Sequence, residues 1–372
     1  MVVLIVSSSR GGSSIVAEAL RHHEGLAHLP GEVNPLFRPI GLAWPDSGTG
    51  SDALDERHAP EAARAAVWAA AGGFAAVDAA SLARLCHARL EMQWPALDIP
   101  LDAVSRAIEG LEGASPEALT AALVARLHAS FPALDPGWYD LGVPPRAPPN
   151  PTTVVEEPPF ILFSGWAPRP GAPLILKSPS NAYRLPFLRR AFPDLRIVHL
   201  TRNPAAAVNG LIDGWLHPGF HAHAVGGLEI GGYSDRVAGG ERWWKFDLPP
   251  GWREWTGAPL AEVAAFQWRS AHAHALGWRA QNPDVPTLHV RFEDFVRDAE
   301  ATVDRVCSWI GVDATPALRD HVRRGLSPRM ATARPRQRRW HARHADLAPV
   351  LARRDVQEVA AALGYSDVEE WT

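Results

Sequence analysis

Two segments of the chain pass from a short run with a strand pattern into the spacing of a helix. The first run, residues 2–6, is followed by a polar turn at 7–14 and by helical spacing over 15–20. The second run, residues 196–201, leads into Asn203-Pro204, which are typical of a helix N-cap and first helical position. Short, continuous apolar runs are typical of strands buried on both faces of a parallel sheet. The pattern therefore predicts two strand-to-helix turns in an α/β fold.

More strand and helix patterns follow in alternation. Strand patterns occur at residues 174–177 and 287–292, and helix patterns occur at 184–191 and 301–310. Alternation of this kind is typical of βαβ units, whose strands are parallel. We therefore expect an α/β fold with a parallel β-sheet flanked by helices.

Two long segments interrupt this alternation. Residues 40–170 hold several helix patterns and then a proline-rich stretch without periodicity. Residues 214–259 are rich in glycine, histidine and aromatic residues. We interpret residues 1–372 as a single domain, with 40–170 as a helical and proline-rich insertion and 214–259 as an excursion from the core.

Composition limits the classes of function. The chain carries 37 Lys and Arg against 41 Asp and Glu, a net charge of −4, which argues against nucleic-acid or membrane-surface partners. No apolar stretch has the length of a membrane span or of a signal peptide. The two cysteines, Cys86 and Cys307, do not suggest a disulfide framework. We therefore expect a cytoplasmic protein.

The two strand-to-helix turns predict sites for anions. In each turn a helix N-terminus lies beside an arginine, Arg10 in the first and Arg202 in the second. Both turns would lie at the carboxyl edge of the sheet, where open α/β folds bind ligands. The first turn also contains four small residues that can offer N–H and hydroxyl donors: Gly11, Gly12, Ser13 and Ser14. We therefore expect a ligand with two separated anionic groups.

Other interpretations of these features remain open at this point. The Gly-Gly pair would also suit a tight connection, and Arg202 would also suit a surface position at a strand end. The first turn lacks the Gly-Lys-Ser/Thr ending of a Walker A loop. Lysine is rare, since Lys177 and Lys245 stand against 35 arginines. Codon bias explains that imbalance, but an ammonium differs from a guanidinium in shape and proton chemistry, so both lysines merit attention.

Taken together, the motifs resemble the sulfotransferases that use 3′-phosphoadenosine 5′-phosphosulfate (PAPS). Residues 9–14 resemble that family's loop for the 5′-phosphosulfate, and residues 201–204 resemble its 3′-phosphate motif. Residues 336–340 resemble the basic loop that closes over the nucleotide, which implies that Arg336 and Arg338 contribute to its binding. The resemblance implies a P-loop-like sulfotransferase fold with PAPS as the donor co-substrate.

The resemblance covers only part of the chain. Residues 290–311 resemble the family's late strand and helix, and the matching segments lie in family order within 1–37, 174–213 and 260–365. The insertion and the excursion are not covered. The family usually has a serine eight residues after the phosphate-binding arginine, where this chain has Gly210. The resemblance therefore implies that Asn209, a backbone N–H or another arginine supplies the missing donor.

Catalytic roles follow from the same resemblance. Transfer to an alcohol or phenol requires a group that takes the acceptor's proton. The family uses a histidine after the strand-end lysine, a position occupied here by Pro179, or an early glutamate, which Glu32 matches. Lys177 would neutralise charge on the bridging oxygen as the sulfuryl group departs, and Arg10 would assist it. The alternatives are a Glu32 carboxylate paired with an arginine and an ordinary Lys177 salt bridge.

The resulting expectation is a sulfotransferase that acts on a hydroxyl of a small-molecule or glycan acceptor, with no metal required. One alternative is a nucleotide kinase or other phosphoryl transferase that uses ATP and Mg²⁺, against which the missing Walker lysine counts. Another is a non-catalytic protein that binds adenosine bisphosphate, against which the presence of Glu32 and Lys177 counts.

The excursion carries weaker signals. His217, His221 and His223 are potential zinc ligands, but the loop is glycine-rich and no cysteine lies near. Its tryptophans suit either a core or an acceptor pocket for a ring or sugar face: Trp215, Trp243, Trp244, Trp252 and Trp255. We assign no role to Lys245.

Overall fold

A computed structural model describes residues 1–29, 32–71, 78–93, 98–111, 114, 116–132, 134, 171–217, 222–326, 332 and 336–365. The strands are β1 (Val2–Val6), β2 (Ala27–His28), β3 (Leu174–Lys177), β4 (Leu195–Thr201), β5 (Ala222–Ala224), β6 (Trp243–Lys245) and β7 (Thr287–Arg291).

The α-helices are α1 (Ser13–Leu20), α2 (Asn34–Phe37), α3 (Pro60–Ala71), α4 (Ala79–Gln93), α5 (Leu101–Ile108), α6 (Pro116–His128), α7 (Leu185–Ala191), α8 (Pro204–Leu216), α9 (Leu260–Gln281), α10 (Phe292–Arg297), α11 (Ala299–Ile310), α12 (Pro316–Arg323), α13 (His344–Leu351) and α14 (Arg354–Ala362). Short 3-10 helices cover Arg38–Ile40, Pro179–Tyr183, Gly240–Arg242, Trp252–Trp255 and Arg339–Arg343.

Five parallel strands form the central sheet, in the order β2-β3-β1-β4-β7. Strand β1 lies in the middle, with Val2 opposite Leu174 of β3 on one side and opposite Leu195 of β4 on the other. The chain leaves β1 toward one edge of the sheet and later continues toward the other. The carboxyl end of β1 is therefore a topological switch point, where α/β folds bind ligands. The predicted α/β fold with a parallel sheet is confirmed.

Alternate residues of β1 enter two different cores, as the period of a strand requires. Val2, Leu4 and Val6 pack on one face of the sheet with α2, α3 and α7. Val3 and Ile5 pack on the other face with α1, α11 and α12. Because both faces of β1 are covered, its five residues are buried, which explains the unbroken apolar run in the sequence.

Helices α3 to α6 lie between β2 and β3, within the predicted insertion, and they pack against the same core as α2 and α7. Residues 135–170 of the proline-rich stretch lie outside the described residues. Cys86 and Cys307 are both buried and form no disulfide. Within the described ranges, no helix combines the length and apolar character needed to span a bilayer.

The excursion after α8 forms part of a third core with α8, α9 and α13. Strands β5 and β6 pair antiparallel within it. Its tryptophans are buried except for Trp255, whose ring stacks on Phe266 of α9 at 4.7 Å between centroids. These tryptophans thus contribute to the core, which is the first of the two interpretations given above.

Candidate functional site

The loop between β1 and α1 has a backbone that only small residues allow at two positions. Gly12, the N-cap of α1, has a φ of +92°, and a Cβ there would lie 2.3 Å from Cδ2 of Phe292. A Cβ on Gly11 would lie 2.2 Å from Oγ of Ser7. Arg10 also has a positive φ, of +61°. The glycines therefore let the loop turn tightly over the end of β1.

This loop offers hydrogen-bond donors that the described residues leave unused. Ser7 Oγ and Ser8 Oγ are buried and find no hydrogen-bond partner there. Among the described residues no side chain caps α1, and the first N–H groups of a helix have no intrahelical acceptor. Ser13 and Ser14 open this helix. Buried donors without acceptors, next to a helix N-terminus and Arg10, fit an anionic group such as a phosphate.

The two predicted anion-binding turns lie side by side. Arg202 follows β4, and its Nη1 donates a hydrogen bond of 3.2 Å to the carbonyl oxygen of Arg10. Its guanidinium lies over the ring of Phe292, 5.0 Å from the centroid. Phe292 is the residue that a Cβ on Gly12 would strike. One aromatic ring thus contacts both turns and links their positions.

Gly210 lies against the side chain of Arg10. Arg10 Nε donates a hydrogen bond of 3.3 Å to the carbonyl oxygen of Gly210. A Cβ on Gly210 would lie 3.4 Å from Cβ of Arg10, and one on Gly214 would lie 3.5 Å from its Cδ. The Arg10 side chain thus lies along α8, and a Cβ on Gly214 would strike Cζ of Phe246. The departure from the family's usual serine thus coincides with the place where Arg10 packs.

The arginines at the site are partly buried and lie close enough to act on one another's charge. Burial lowers the pKa of Arg10 to about 10, with the charges of Arg202 and Arg339 acting in the same direction and Asp213 opposing them. Burial also lowers the pKa of Arg202, while Glu293 opposes that shift. Guanidinium groups that depress each other's pKa would be stabilised by a bound anion.

Hydrogen bonds at the start of α8 fix the backbone that follows Arg202. The Asn203 side chain caps this helix by accepting from the Ala206 N–H at 2.8 Å. Glu293 Oε1 accepts from both the backbone N–H and Nδ2 of Asn203, at 2.9 and 2.8 Å. Tyr365 OH donates to the other oxygen of Glu293 at 2.9 Å. The predicted N-cap and first helical position are confirmed.

The basic segment, residues 336–343, contacts α8 through two arginines that the sequence motif did not name. Arg339 and Arg343 each contact Asp213 of α8 at 2.5 Å, and Arg343 Nη1 donates to Asn209 Oδ1 at 2.8 Å. The two arginines are four residues apart in one short helical segment and face α8 together. Arg336 and Arg338, the residues named from the resemblance, are exposed, and their nucleotide contacts stay a prediction.

The structure brings Glu32 and Lys177 into direct contact. Lys177 Nζ donates to Glu32 Oε1 at 2.6 Å, and Ser178 Oγ donates to Glu32 Oε2 at 3.0 Å. Both side chains keep about a fifth of their surface exposed, 22% for Glu32 and 17% for Lys177. Lys177 ends β3, the neighbour of β1. An accessible carboxylate and ammonium therefore lie one strand away from the Arg10 loop.

A buried network fixes the chain around this pair. Arg184 is fully buried and donates to Asn34 Oδ1 at 2.5 Å and to the carbonyl oxygen of Asp52 at 2.8 Å. Ser180 Oγ donates to Asp52 Oδ2 at 2.7 Å and accepts from Asn34 Nδ2 at 3.1 Å. Asn34 lies two residues after Glu32, and Ser180 lies three residues after Lys177. The network thus holds the two segments that carry the pair.

Lys245 is buried in the core. It is 1% exposed, and its Nζ donates to the carbonyl oxygen of His217 at 2.5 Å. Burial lowers the pKa of Lys245 to about 7. His223 bonds to the carbonyl oxygen of Phe246, and His221 lies outside the described residues. Across the residues that the structure describes, no group of three or more His, Cys, Asp or Glu is arranged to hold a metal.

The parallel sheet, with its switch point at β1 and its glycine-rich strand-to-helix turn, defines a P-loop-like α/β protein. A model of the Sulfotransferase family matches residues 3–250, about two thirds of the chain, and the protein belongs to this family. The resemblance inferred from the motifs is thereby confirmed. The match ends before β7 and the basic segment.

Solved structures of bacterial and biosynthetic sulfotransferases align with most of the chain at low identity. A sulfotransferase domain from the curacin biosynthetic pathway is 16% identical, with 98% of this chain and 97% of that one covered and a TM-score of 0.43. Sulfotransferase STF9 from Mycobacterium avium is 15% identical, with 97% and 76% covered and a TM-score of 0.41. No curated protein sequence matches the chain significantly.

Proposed function

We propose that the protein transfers a sulfuryl group from PAPS to a hydroxyl group of a small-molecule or glycan acceptor. One observation carries this proposal. The Arg10 loop and Arg202 lie side by side, with the Glu32–Lys177 pair at the end of the neighbouring strand. Family membership supports a sulfotransferase as the class of enzyme.

Donor binding would use the two turns. The N–H groups at the start of α1, Arg10 and the buried hydroxyls of Ser7 and Ser8 would hold the phosphate to which the sulfuryl group is attached. Arg202 would hold the 3′-phosphate, with Arg339 close enough to lower the pKa of Arg202. When bound, PAPS supplies the sulfuryl group and a phosphate leaving group. These contacts would fix the donor's orientation toward the acceptor.

Acceptor activation would use Glu32. Its carboxylate is accessible, and Lys177 and Ser178 fix its orientation. An acceptor hydroxyl within hydrogen-bond reach would give its proton to Glu32 as its oxygen attacks the sulfur. Lys177 would stabilise the negative charge that develops on the leaving phosphate oxygen. The Glu32–Lys177 ion pair holds both groups ready for these roles.

Ligand-induced stabilisation tests the donor assignment. We expect adenosine 3′,5′-bisphosphate without metal to raise the melting temperature, with about 2.7 kcal/mol of stabilisation at a hundred times its Kd. ATP with Mg²⁺ should give a smaller shift at the same concentration. Stabilisation by ATP and Mg²⁺ alone would instead support a phosphoryl transferase.

The Glu32→Gln variant tests the catalytic assignment. Assays with labelled PAPS and a panel of hydroxylated acceptors should show turnover reduced about 10²- to 10⁴-fold, with bisphosphate affinity unchanged. Glu24→Gln, at an exposed position, is the matched control and should keep full activity. Full activity in Glu32→Gln would refute the base role. Bisphosphate binding by the wild type without turnover of any acceptor would support the non-catalytic alternative.

A further inference from the structure

The proposed anion-binding loop is the segment between β1 and α1, residues 7–12. A buried carboxylate of the excursion contacts this loop. Asp247 follows β6 and is 3% exposed. Its backbone is tightly fixed, because its carbonyl oxygen accepts from Gln267 Nε2 at 3.0 Å and from Trp244 Nε1 at 2.9 Å. Phe246, just before it, has a φ of +67°, which is unfavourable for a phenylalanine. A backbone held in such a conformation often marks a functional position.

The Asp247 side chain accepts two hydroxyl groups. Ser9 Oγ, from the anion-binding loop, donates to Oδ1, and Tyr183 OH donates to Oδ2 at 2.7 Å. Ser9 directly precedes Arg10. Within the part of the chain that the structure describes, Asp247 forms no salt bridge with any cation. Among the described residues, the Ser9 and Tyr183 hydroxyls and its own backbone N–H stabilise its charge.

The ionisable groups around Asp247 come from several elements. The charge of the Asp52 carboxylate acts on Asp247, and Arg184 pairs with Asp52 at 3.3 Å. Lys245 lies two residues earlier and is bonded to the His217 carbonyl. On α9, His274 packs its ring edge-on to Tyr183 at 5.1 Å. Burial raises the pKa of Asp247 to about 6, with Asp52 adding to the rise and the Ser9 and Tyr183 hydrogen bonds opposing it.

The position of this carboxylate creates an electrostatic conflict with the ligand. An anion in the loop would lie close to the negative charge of Asp247, which is buried behind Ser9. Buried surroundings screen the repulsion between the two charges poorly. A neighbouring negative charge favours the protonated form of a carboxyl group. In that form the Asp247 hydroxyl donates to Ser9 Oγ, and the Ser9 proton is released for another acceptor.

We propose that Asp247 is a positioning residue of the anion-binding loop and takes up a proton from solvent when the anionic ligand binds. The inference rests on the proposed function, because it assumes that the loop receives the donor nucleotide. Ser9 would then act as a donor toward the loop or its ligand only while Asp247 is protonated. Nucleotide binding would weaken as the pH rises past the range in which Asp247 ionises.

The test compares Asp247→Asn with the wild type. Asparagine has nearly the same shape, carries no charge and can donate from Nδ2 at every pH. The dissociation constant for adenosine 3′,5′-bisphosphate is measured by calorimetry from pH 5.5 to 8. The ratio of the wild-type value to the variant value should rise about tenfold, since one unit of pKa shift corresponds to a factor of ten. The ligand's own titration cancels in this ratio.

Calorimetry in buffers of different protonation enthalpy gives a second reading. Near pH 6.5 the wild type should take up a fraction of a proton more than Asp247→Asn on binding. Asp46→Asn, at an exposed position, is the control and should match the wild type. Tyr183→Phe removes a hydrogen bond that favours the ionised form, so it should move the rise in dissociation constant to higher pH. That shift tests the inference even if Asp247→Asn folds poorly.

The outcomes separate this inference from the proposed function. If wild type and Asp247→Asn bind the bisphosphate with the same pH dependence and equal proton uptake, the inference is wrong and donor binding stands. If Tyr183→Phe leaves the pH profile in place, Asp247 is not the titrating group. If the wild type does not bind the bisphosphate at any pH, the proposed function fails, and this inference fails with it.

Discussion

Replacing Gly12 with alanine tests the contact that joins the two predicted anion-binding turns. Gly12 has a φ of +92°, and an added Cβ would lie 2.3 Å from Cδ2 of Phe292. Phe292 in turn supports the Arg202 guanidinium, 5.0 Å above its ring. The added methyl group must therefore displace the ring or the loop, and either movement disturbs both turns.

The chain offers a matched control that separates backbone strain from steric overlap. Gly311, at the C-terminus of α11, has a φ of +95°, and a Cβ there would meet nothing within 4 Å. Alanine in a left-handed conformation costs about 1–2 kcal/mol, which is the whole effect expected for Gly311→Ala. Overpacking adds about 1–3 kcal/mol at Gly12. We therefore expect Gly12→Ala to destabilise the protein by about 2–5 kcal/mol.

Urea denaturation of both variants, together with bisphosphate titration, measures the two effects. Gly12→Ala should also weaken bisphosphate binding severalfold, because a cation–π contact contributes about 0.5–2 kcal/mol and Arg202 loses its support. Gly311→Ala should bind like the wild type. Equal losses of stability in the two variants, with binding unchanged in both, would refute the role given to Phe292.

Two further predictions follow. Burial lowers the pKa of Lys245 from 10.5 to about 7, so the unfolded chain binds more protons between these values. From pH 7 to 10.5, the wild-type free energy of unfolding in urea should rise by a few kcal/mol relative to that of Lys245→Met. If the two free energies change with pH in parallel, the prediction is wrong. Gly210→Ser should fold, because its Cβ lies 3.4 Å from that of Arg10, and should bind adenosine 3′,5′-bisphosphate severalfold more tightly. Adenosine 5′-monophosphate binding should not change; equal gains for both nucleotides would exclude a 3′-phosphate contact.

The two turns could be predicted because their signals are local. A strand buried on both faces leaves an unbroken apolar run, as in residues 2–6, and Asn203 and Pro204 mark a helix start by their own conformational preferences. These signals need no knowledge of distant parts of the chain. The resemblance to sulfotransferases then placed Glu32 and Lys177 in one site, and the structure brings them into contact.

The supporting carboxylates could not be predicted because their partners are remote in sequence. Asp247 meets Ser9 across 238 residues, and Asp213 meets Arg339 across 126. No periodicity reports such pairs. A signal for Asp247 in the sequence is its place two residues after Lys245, one of only two lysines, in a largely apolar segment.

The basic segment shows a different limit. Its abundance of arginine predicted a role near the nucleotide, but not which arginines face α8. That choice depends on the short helical segment Arg339–Arg343, whose phase turns Arg339 and Arg343 toward Asp213. The sequence of a loop does not show which of its side chains face a neighbouring helix. The motif alone therefore pointed to Arg336 and Arg338.

The place of β1 in the sheet has a consequence for biosynthesis. Both of its hydrogen-bonded neighbours come from residues 174–201, so the ribosome must add about 170 residues before this apolar strand can pair with β3. At about 5–20 residues per second, that delay is roughly 9 to 34 s. A nascent strand of five consecutive aliphatic residues that waits this long is exposed to aggregation. Chaperones that cover such segments would therefore act on β1 before any ligand can.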